Sequence, residues 1–272
     1  MSRKLNEYFD EHKMLFFILN LLFIVLLLKC FQVLAFPDAD FQAALTAGNI
    51  EFMMFGMRDE LGGFVLTFAI AIIAMLFSFV FGSLLGIARY SNIKILKIPA
   101  TIYIELFRAL PLIMVIFWVY FAIPIVGAAI FETKIALSAL ISAIISFTLF
   151  ESAYIAEIVR AGINSIPKGQ FEAAKTLGMN SWQISTIIIL PQAYRRMIPA
   201  ISSQFVSLFK DTSLVYVIGV VEFFRAATIV NNRIYMSFEI LSFVAIVYFV
   251  SAFTLSKIAE QLEKKVAKQL HA

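Results

Sequence analysis

The sequence predicts an all-α integral membrane protein with about six transmembrane helices. Its 272 residues are 61% hydrophobic and only 15% charged, with a mean hydropathy of +0.91. Soluble domains carry about 25% charged residues. Apolar runs recur at lengths matching the roughly 20 residues that a helix needs to cross the hydrocarbon of a bilayer. Lys and Arg are shared unequally between alternate connecting segments, as a protein with a cytoplasmic and an external side requires.

Taken in order, the predicted spans are Met14–Phe36, Leu61–Ala88, Pro99–Ile123, Ile135–Val159, Ile198–Val221 and Phe238–Leu255. Lys29 interrupts the first span late, and no small-residue cleavage site follows before Phe36-Pro37, so it reads as a retained helix rather than a signal peptide. With the N-terminus inside, fifteen of the 22 Lys and Arg fall in internal segments, four (Arg58, Lys134, Arg225, Arg233) fall outside, and Lys29, Arg108 and Lys210 fall within spans. That bias places both termini, and the polar stretch Pro167–Pro199, in the cytoplasm. The outer segment Pro37–Glu60 holds Asp38, Asp40, Glu51, Asp59 and Glu60 against Arg58 alone and reads as an acidic solvated linker. The chain divides into residues 1–60 (tail, first helix and external loop), 61–258 (the transmembrane domain) and 259–272 (a cytoplasmic tail read as a solvated helix).

Composition also excludes. A net charge of +4 spread along the chain gives no nucleic-acid footprint. The single Cys30 forbids an intrachain disulfide, and His12 and His271 both lie in polar tails, which leaves no His-based catalytic or metal constellation. Gly169–Thr176 narrowly misses a phosphate-binding loop: Ala174 stands where the second Gly belongs, and a membrane helix rather than a strand precedes it. The chain is therefore read as a non-enzyme with no metal, cofactor or ATP site of its own.

Pro167–Pro199 is the longest polar interruption, and its grammar is two short helices joined by a turn. Lys168 and Glu172 are spaced to pair on one face. Gly178 follows Leu177 where a helix end needs a left-handed residue, and Asn180 with Gln183 fits a capping box. Phe171, Leu177 and Trp182 are apolar groups that a solvated loop does not need, while Ala173 and Ala174 let a partner helix come close. The loop thus reads either as a docking knob or as a plain cytoplasmic connection.

Polar groups inside spans are costly and mark candidate functional sites. Lys210-Asp211-Thr212-Ser213 interrupts the fifth span, with Ser207 and Ser203 extending the Asp211 face; it is either a Lys–Asp staple between helices or the lining and gate for a zwitterionic solute. Glu105 and Arg108 are three apart in the third span, near Pro111, and read as a structural ion pair or as groups snorkelling to the inner surface. Glu151 and Tyr154 share a stripe of the fourth span and are assigned to the pathway. Glu157 and Arg160, at its inner end, are read as a second structural pair. Thr67, Ser78 and Ser83 read as helix–helix hydrogen bonds.

Several of these residues resemble a known family. Glu172-Ala173-Ala174, Gly178 and then Leu190-Pro191 are similar to the EAA loop of ABC-importer permeases. Lys210–Leu214, the Ala-Tyr-x-x-Glu-x-x-Arg-x-Gly run Ala153–Gly162, and Phe107-Arg108-x-x-Pro111-Leu112 resemble the polar amino-acid branch, although Ala109 and Leu110 replace its usual Gly-Thr pair. The resemblance implies a MetI-like type I permease core from about Leu61 to Leu255, usually of five spans, with Met14–Phe36 as an N-terminal addition in a bacterial inner membrane. It implies that Phe171, Glu172, Ala173, Ala174, Leu177 and Gly178 form a coupling helix docking on a separate ATPase. The implied partners are two ATPase subunits carrying ATP and Mg, a second permease chain (identical or sister), an extracytoplasmic solute-binding protein, an amino-acid substrate and membrane lipid. The alternatives are a self-sufficient secondary transporter or channel, whose inverted repeats and paired broken helices are not visible in this sequence, and a membrane scaffold.

Overall fold

A computed structural model of the chain describes residues 44–57, 60–91, 93–132 and 137–270. In chain order these form α1 (Ala47–Phe55), a small antiparallel hairpin of β1 (Gly56–Met57) and β2 (Glu60–Leu61), α2 (Gly63–Tyr90), α3 (Lys94–Ala109), α4 (Leu112–Phe117), a π-helical turn (Trp118–Ala122) and α5 (Ile123–Phe131). There follow α6 (Ala139–Asn164), α7 (Lys168–Thr176), α8 (Ser181–Gln183), a second π-helical segment (Ile184–Ile189), α9 (Leu190–Asp211), a 3₁₀ turn (Thr212–Ile218), α10 (Phe223–Ile234) and α11 (Ser237–Leu270). The expected span Met14–Phe36 lies outside the described residues.

Among the described residues, four helical stretches are long and apolar enough to cross a membrane: Gly63–Tyr90, Leu112–Ile130, Ala139–Asn164 and Ser237–Val266. Two expectations are corrected. The run Pro99–Ile123 is not one helix but breaks at Leu110-Pro111, where Leu110 is extended (φ −87°, ψ 144°). Proline removes a backbone donor and pushes the residue before it out of the helical region. The span is then the downstream half, α4 through α5. The expected span Ile198–Val221 starts earlier, at Leu190, and ends at Asp211, where the chain tightens into the 3₁₀ turn and reverses at Gly219 (φ +89°). Gln192, Arg195, Arg196, Gln204, Lys210 and Asp211 make α9 too polar to face lipid alone.

The bundle is organised on the crossing of α2 and α6. Gly82 and Gly86, four apart and so on one face, let the two backbones touch. A Cβ on Gly82 would stand 2.6 Å from the Ser152 carbonyl oxygen, and one on Gly86 would stand 2.7 Å from that of Ala156. The Ser78 hydroxyl donates to the Thr148 carbonyl across the same interface at 3.3 Å. The other face of α2 exposes Ile72, Leu76, Val80 and Leu84, an apolar stripe suited to lipid. The phenylalanines divide between lipid-facing positions and the core. Phe147, Phe209 and Phe223 are fully buried, and the rings of Phe64, Phe68, Phe209, Phe223 and Tyr248 join α2, α9, α10 and α11 in one aromatic cluster.

The segment expected outside is more than a linker from residue 44 onward. The Thr46 side chain accepts the Asn49 N–H at the start of α1, and Met53 is buried in a second core with Phe223, Ala226, Ala227 and Val230 of α10. Gly63, at φ +57°, is pressed so close to the Met53 carbonyl that no side chain fits there, and its N–H donates to the Val221 carbonyl at 2.9 Å.

Candidate coupling loop and polar pathway

The loop after α6 is held in shape by its own short-range chemistry. Gly178 stands at φ +77°. Its N–H donates to the Lys175 carbonyl at 3.0 Å and the N–H of Met179 to that of Ala174 at 3.2 Å, the paired bonds of a Schellman helix end. Two residues on, the Asn180 side chain accepts the Gln183 N–H while the Gln183 side chain accepts the Asn180 N–H, both at 2.9 Å. This clamps α7 and α8 in a fixed turn and aims apolar groups outward: Leu177 is 82% exposed, Trp182 76% and Phe171 42%. Ala174 is buried beneath them and Ala173 is exposed. The expected Lys168–Glu172 ion pair does not form. Both side chains instead line a hollow of about 550 Å³ under α7, closed on the membrane side by Ile87, Tyr90, Ile163 and Ile166.

Above this loop, three helices exchange charge. Glu157 of α6 accepts from Arg160 Nε at 3.1 Å and from Arg89 of α2 at 3.3 Å, with Arg108 of α3 at 4.0 Å. The expected Glu105–Arg108 pair is replaced: Glu105 bonds Arg89 at 3.1 Å, and the Arg108 guanidinium lies 5.7 Å above the Tyr154 ring. The crossing of α3 over α2 and α6 offers each of these groups a partner on another helix, and that wins over the local spacing of three. Arg89 bridges both carboxylates; sequence reading missed it, although a cation at the end of an apolar run is a visible signal.

Deeper in the bundle, Glu151 is fully buried. One carboxylate oxygen accepts from the Gln204 amide of α9 at 2.7 Å, and the other has no partner among the described residues. Asp211 ends α9 and is half-buried. Tyr154, expected beside Glu151, turns instead toward Phe150 and Arg108. Lys210 and Asp211 form no ion pair with each other. Lys210 is exposed and, with Ser203 and Ser207, lines a polar groove of about 270 Å³ against Ser256, Glu260 and Glu263 of α11. The hydroxyls of Thr212 and Ser213 donate to the carbonyls of Phe209 and Lys210 at 2.7 and 2.9 Å, so they finish the helix. Helix α9 thus carries two polar stripes, one toward Glu151 and one toward α11.

Two further polar residues escaped sequence reading. Gln204, seven residues before Asp211 on the same face, is one. Glu222 is the other: fully buried, it caps α10 by accepting the N–H groups of Phe224 and Arg225 at 2.8 and 2.7 Å and the Tyr248 hydroxyl at 3.2 Å. An acid just before an apolar helix is a recognisable cap signal.

Residues 78–268 match the family described as binding-protein-dependent transport system inner membrane component. The chain is 39% identical over 212 residues to the glutamate/aspartate import permease protein GltK of Escherichia coli O6:H1, covering 76% of this chain and 93% of that one. It is 40% identical over 204 residues to the probable glutamine ABC transporter permease protein GlnP of Bacillus subtilis (strain 168), covering 74% and 90%. Among solved structures, an amino acid ABC transporter with histidines aligns with a TM-score of 0.68 at 31% identity, over 75% of this chain and 92% of that one. An inward-facing MetNI methionine ABC transporter shares the fold, with a TM-score of 0.60 at 20% identity over 74% and 93%. With the apolar spans, the clamped loop and this breadth of match together, the chain belongs to the binding-protein-dependent transport system inner membrane components, the permease subunits of ABC importers.

Proposed function

We propose that the chain moves polar amino acids into the cell as one of two permease chains, with two ATPase subunits bound to its cytoplasmic face and a solute-binding protein delivering from outside. The observation that carries this is the loop Pro167–Pro199, a rigid turn that presents Phe171, Leu177 and Trp182 to water. Exposed apolar groups on a clamped turn are a docking surface in search of a partner. ATP and Mg bind on that partner. Nucleotide-driven closure of the ATPase pair displaces α7, and the permease alternates between inward- and outward-open states because each ligand favours one of them. The solute passes near Glu151, whose free carboxylate oxygen accepts an ammonium group, with Gln204 and Asp211 beside it. The relatives' names, glutamate/aspartate and glutamine permeases, support an amino-acid substrate.

The test is a mild-detergent pull-down from native membranes followed by mass spectrometry, with the intact chain beside Glu172→Pro. Proline in the middle of α7 removes a helical N–H and clashes with the preceding turn, a cost of about 3 kcal/mol. A phosphate-binding-loop ATPase captured by the intact chain and lost in the variant is the expected result. No ATPase with either chain, both still folded, would favour the self-sufficient transporter or channel.

A further inference from the structure

Packing alone does not fix the position of α7. Ala174 is its one buried residue, and the hollow of about 550 Å³ lies directly beneath it. A push on such a helix is absorbed by collapse into the space unless something else holds it. The covalent route onward to α9 runs through the π-helical segment Ile184–Ile189. Its i→i+5 geometry is an irregular insertion in the helical ladder, of a kind that clusters at functional sites.

Two polar ties bypass that segment. The Gln192 side-chain amide, in the first turn of α9, donates to the Gln170 side chain in the first turn of α7 and also to the Ile188 carbonyl at 2.9 Å. The Arg196 guanidinium, one turn further along α9, donates to the Ser165 carbonyl at the junction of α6 and α7. From there α9 continues as helix to Asp211, with Pro199 inside it. At 1.5 Å per residue its 22 residues make a lever of about 33 Å, with Gln204, Lys210 and Asp211 toward its far end.

We infer that α7 and α9 move as one body, tied by Gln192 to Gln170, while Arg196 holds α9 to Ser165 at the end of α6 where the loop begins, so that displacement of the coupling loop is delivered to the helix that carries the polar pathway. Gln192 and Arg196 are positioning residues: they touch neither solute nor nucleotide. This rests on the importer reading above.

The test uses the assembled importer, permease with its ATPase and solute-binding partners, in proteoliposomes. On a Cys30→Ser background, Gln170→Cys and Gln192→Cys are joined by a short, reducible bifunctional thiosulfonate. If the helices travel together, the cross-linked importer keeps about half or more of its ATP-driven uptake. A loss of about tenfold on cross-linking, reversed by reductant, means that the two helices separate in each cycle and overturns the inference. In the double variant Gln192→Ala/Arg196→Ala, the ATP hydrolysed per solute moved rises about fivefold or more while the ATPase still co-purifies, and Arg196→Lys recovers part of the coupling. An unchanged ratio in that variant also overturns it. An unmodified complex with no ATP-driven uptake defeats the importer reading itself, an outcome separate from failure of the tie.

Discussion

Gly178 has open space around the position that a Cβ would take, yet its backbone stands at φ +77°. Any side chain therefore fits sterically, and the cost of replacement is backbone strain, about 1–2 kcal/mol for an ordinary L-residue. Valine, branched at Cβ, resists this conformation most, while asparagine tolerates it. We expect Gly178→Val to unravel the end of α7 and abolish solute-stimulated ATP hydrolysis in the reconstituted importer, with Gly178→Asn keeping most of it; normal stimulation in the valine variant would sink the idea. This residue was legible in sequence, as were Asn180 and Gln183, because each acts on neighbours within five positions. The partners of Glu105 and Glu151 were not legible. Arg89 is 16 residues from Glu105, and Gln204 is 53 residues from Glu151. Which helix faces which decides those contacts, and that information lies outside any local spacing.

At the scale of elements, hydropathy located α2, α6 and the start of α11 to within a few residues because a long apolar run has one stable form in lipid, whereas α11 runs on to Leu270, well beyond the expected end of the span at Leu255. Hydropathy failed between Pro99 and Ile123, where the run is apolar apart from Glu105 and Arg108 but the backbone is not continuously helical. Burial is indifferent to that distinction, and only Pro111 marks it. The α2–α6 crossing was also unread, although Gly82 and Gly86 have the small-x-x-x-small spacing that lets membrane helices approach closely. The contact makes a sharp expectation. A methyl on Gly82 meets the Ser152 carbonyl at 2.6 Å and the Ile155 Cβ at 2.7 Å, backbone and β-carbon atoms that cannot swing away. Overpacking of this kind costs about 1–3 kcal/mol. Gly82→Ala is expected to lower the thermal unfolding midpoint of the purified complex in detergent, whereas Gly169→Ala, where nothing lies within 4 Å, leaves it in place. Equal midpoints would mean that the two helices do not pack this closely.

For the molecule as a whole, orientation decides whether the clamped loop is of any use. Helix α6 has 26 residues and so is about 39 Å long, more than the roughly 30 Å of bilayer hydrocarbon. Glu132 before it and Lys168 after it therefore emerge on opposite sides, and both side chains are exposed. The cation bias of the sequence predicts that Lys168 lies inside, on the side of Arg195, Arg196 and the Lys-rich end of α11. The Glu157 cluster, with Arg89, Arg108 and Arg160, sits on the same side, just above the loop, so one end of the bundle holds both the charge and the exposed apolar groups of the loop. On a Cys30→Ser background in right-side-out membrane vesicles, a membrane-impermeant maleimide should label Glu132→Cys directly and Lys168→Cys only after permeabilisation. The reverse pattern would place Phe171, Leu177 and Trp182 outside the cell, beyond the reach of any cytoplasmic ATPase, and the coupling role of the loop would fall with it.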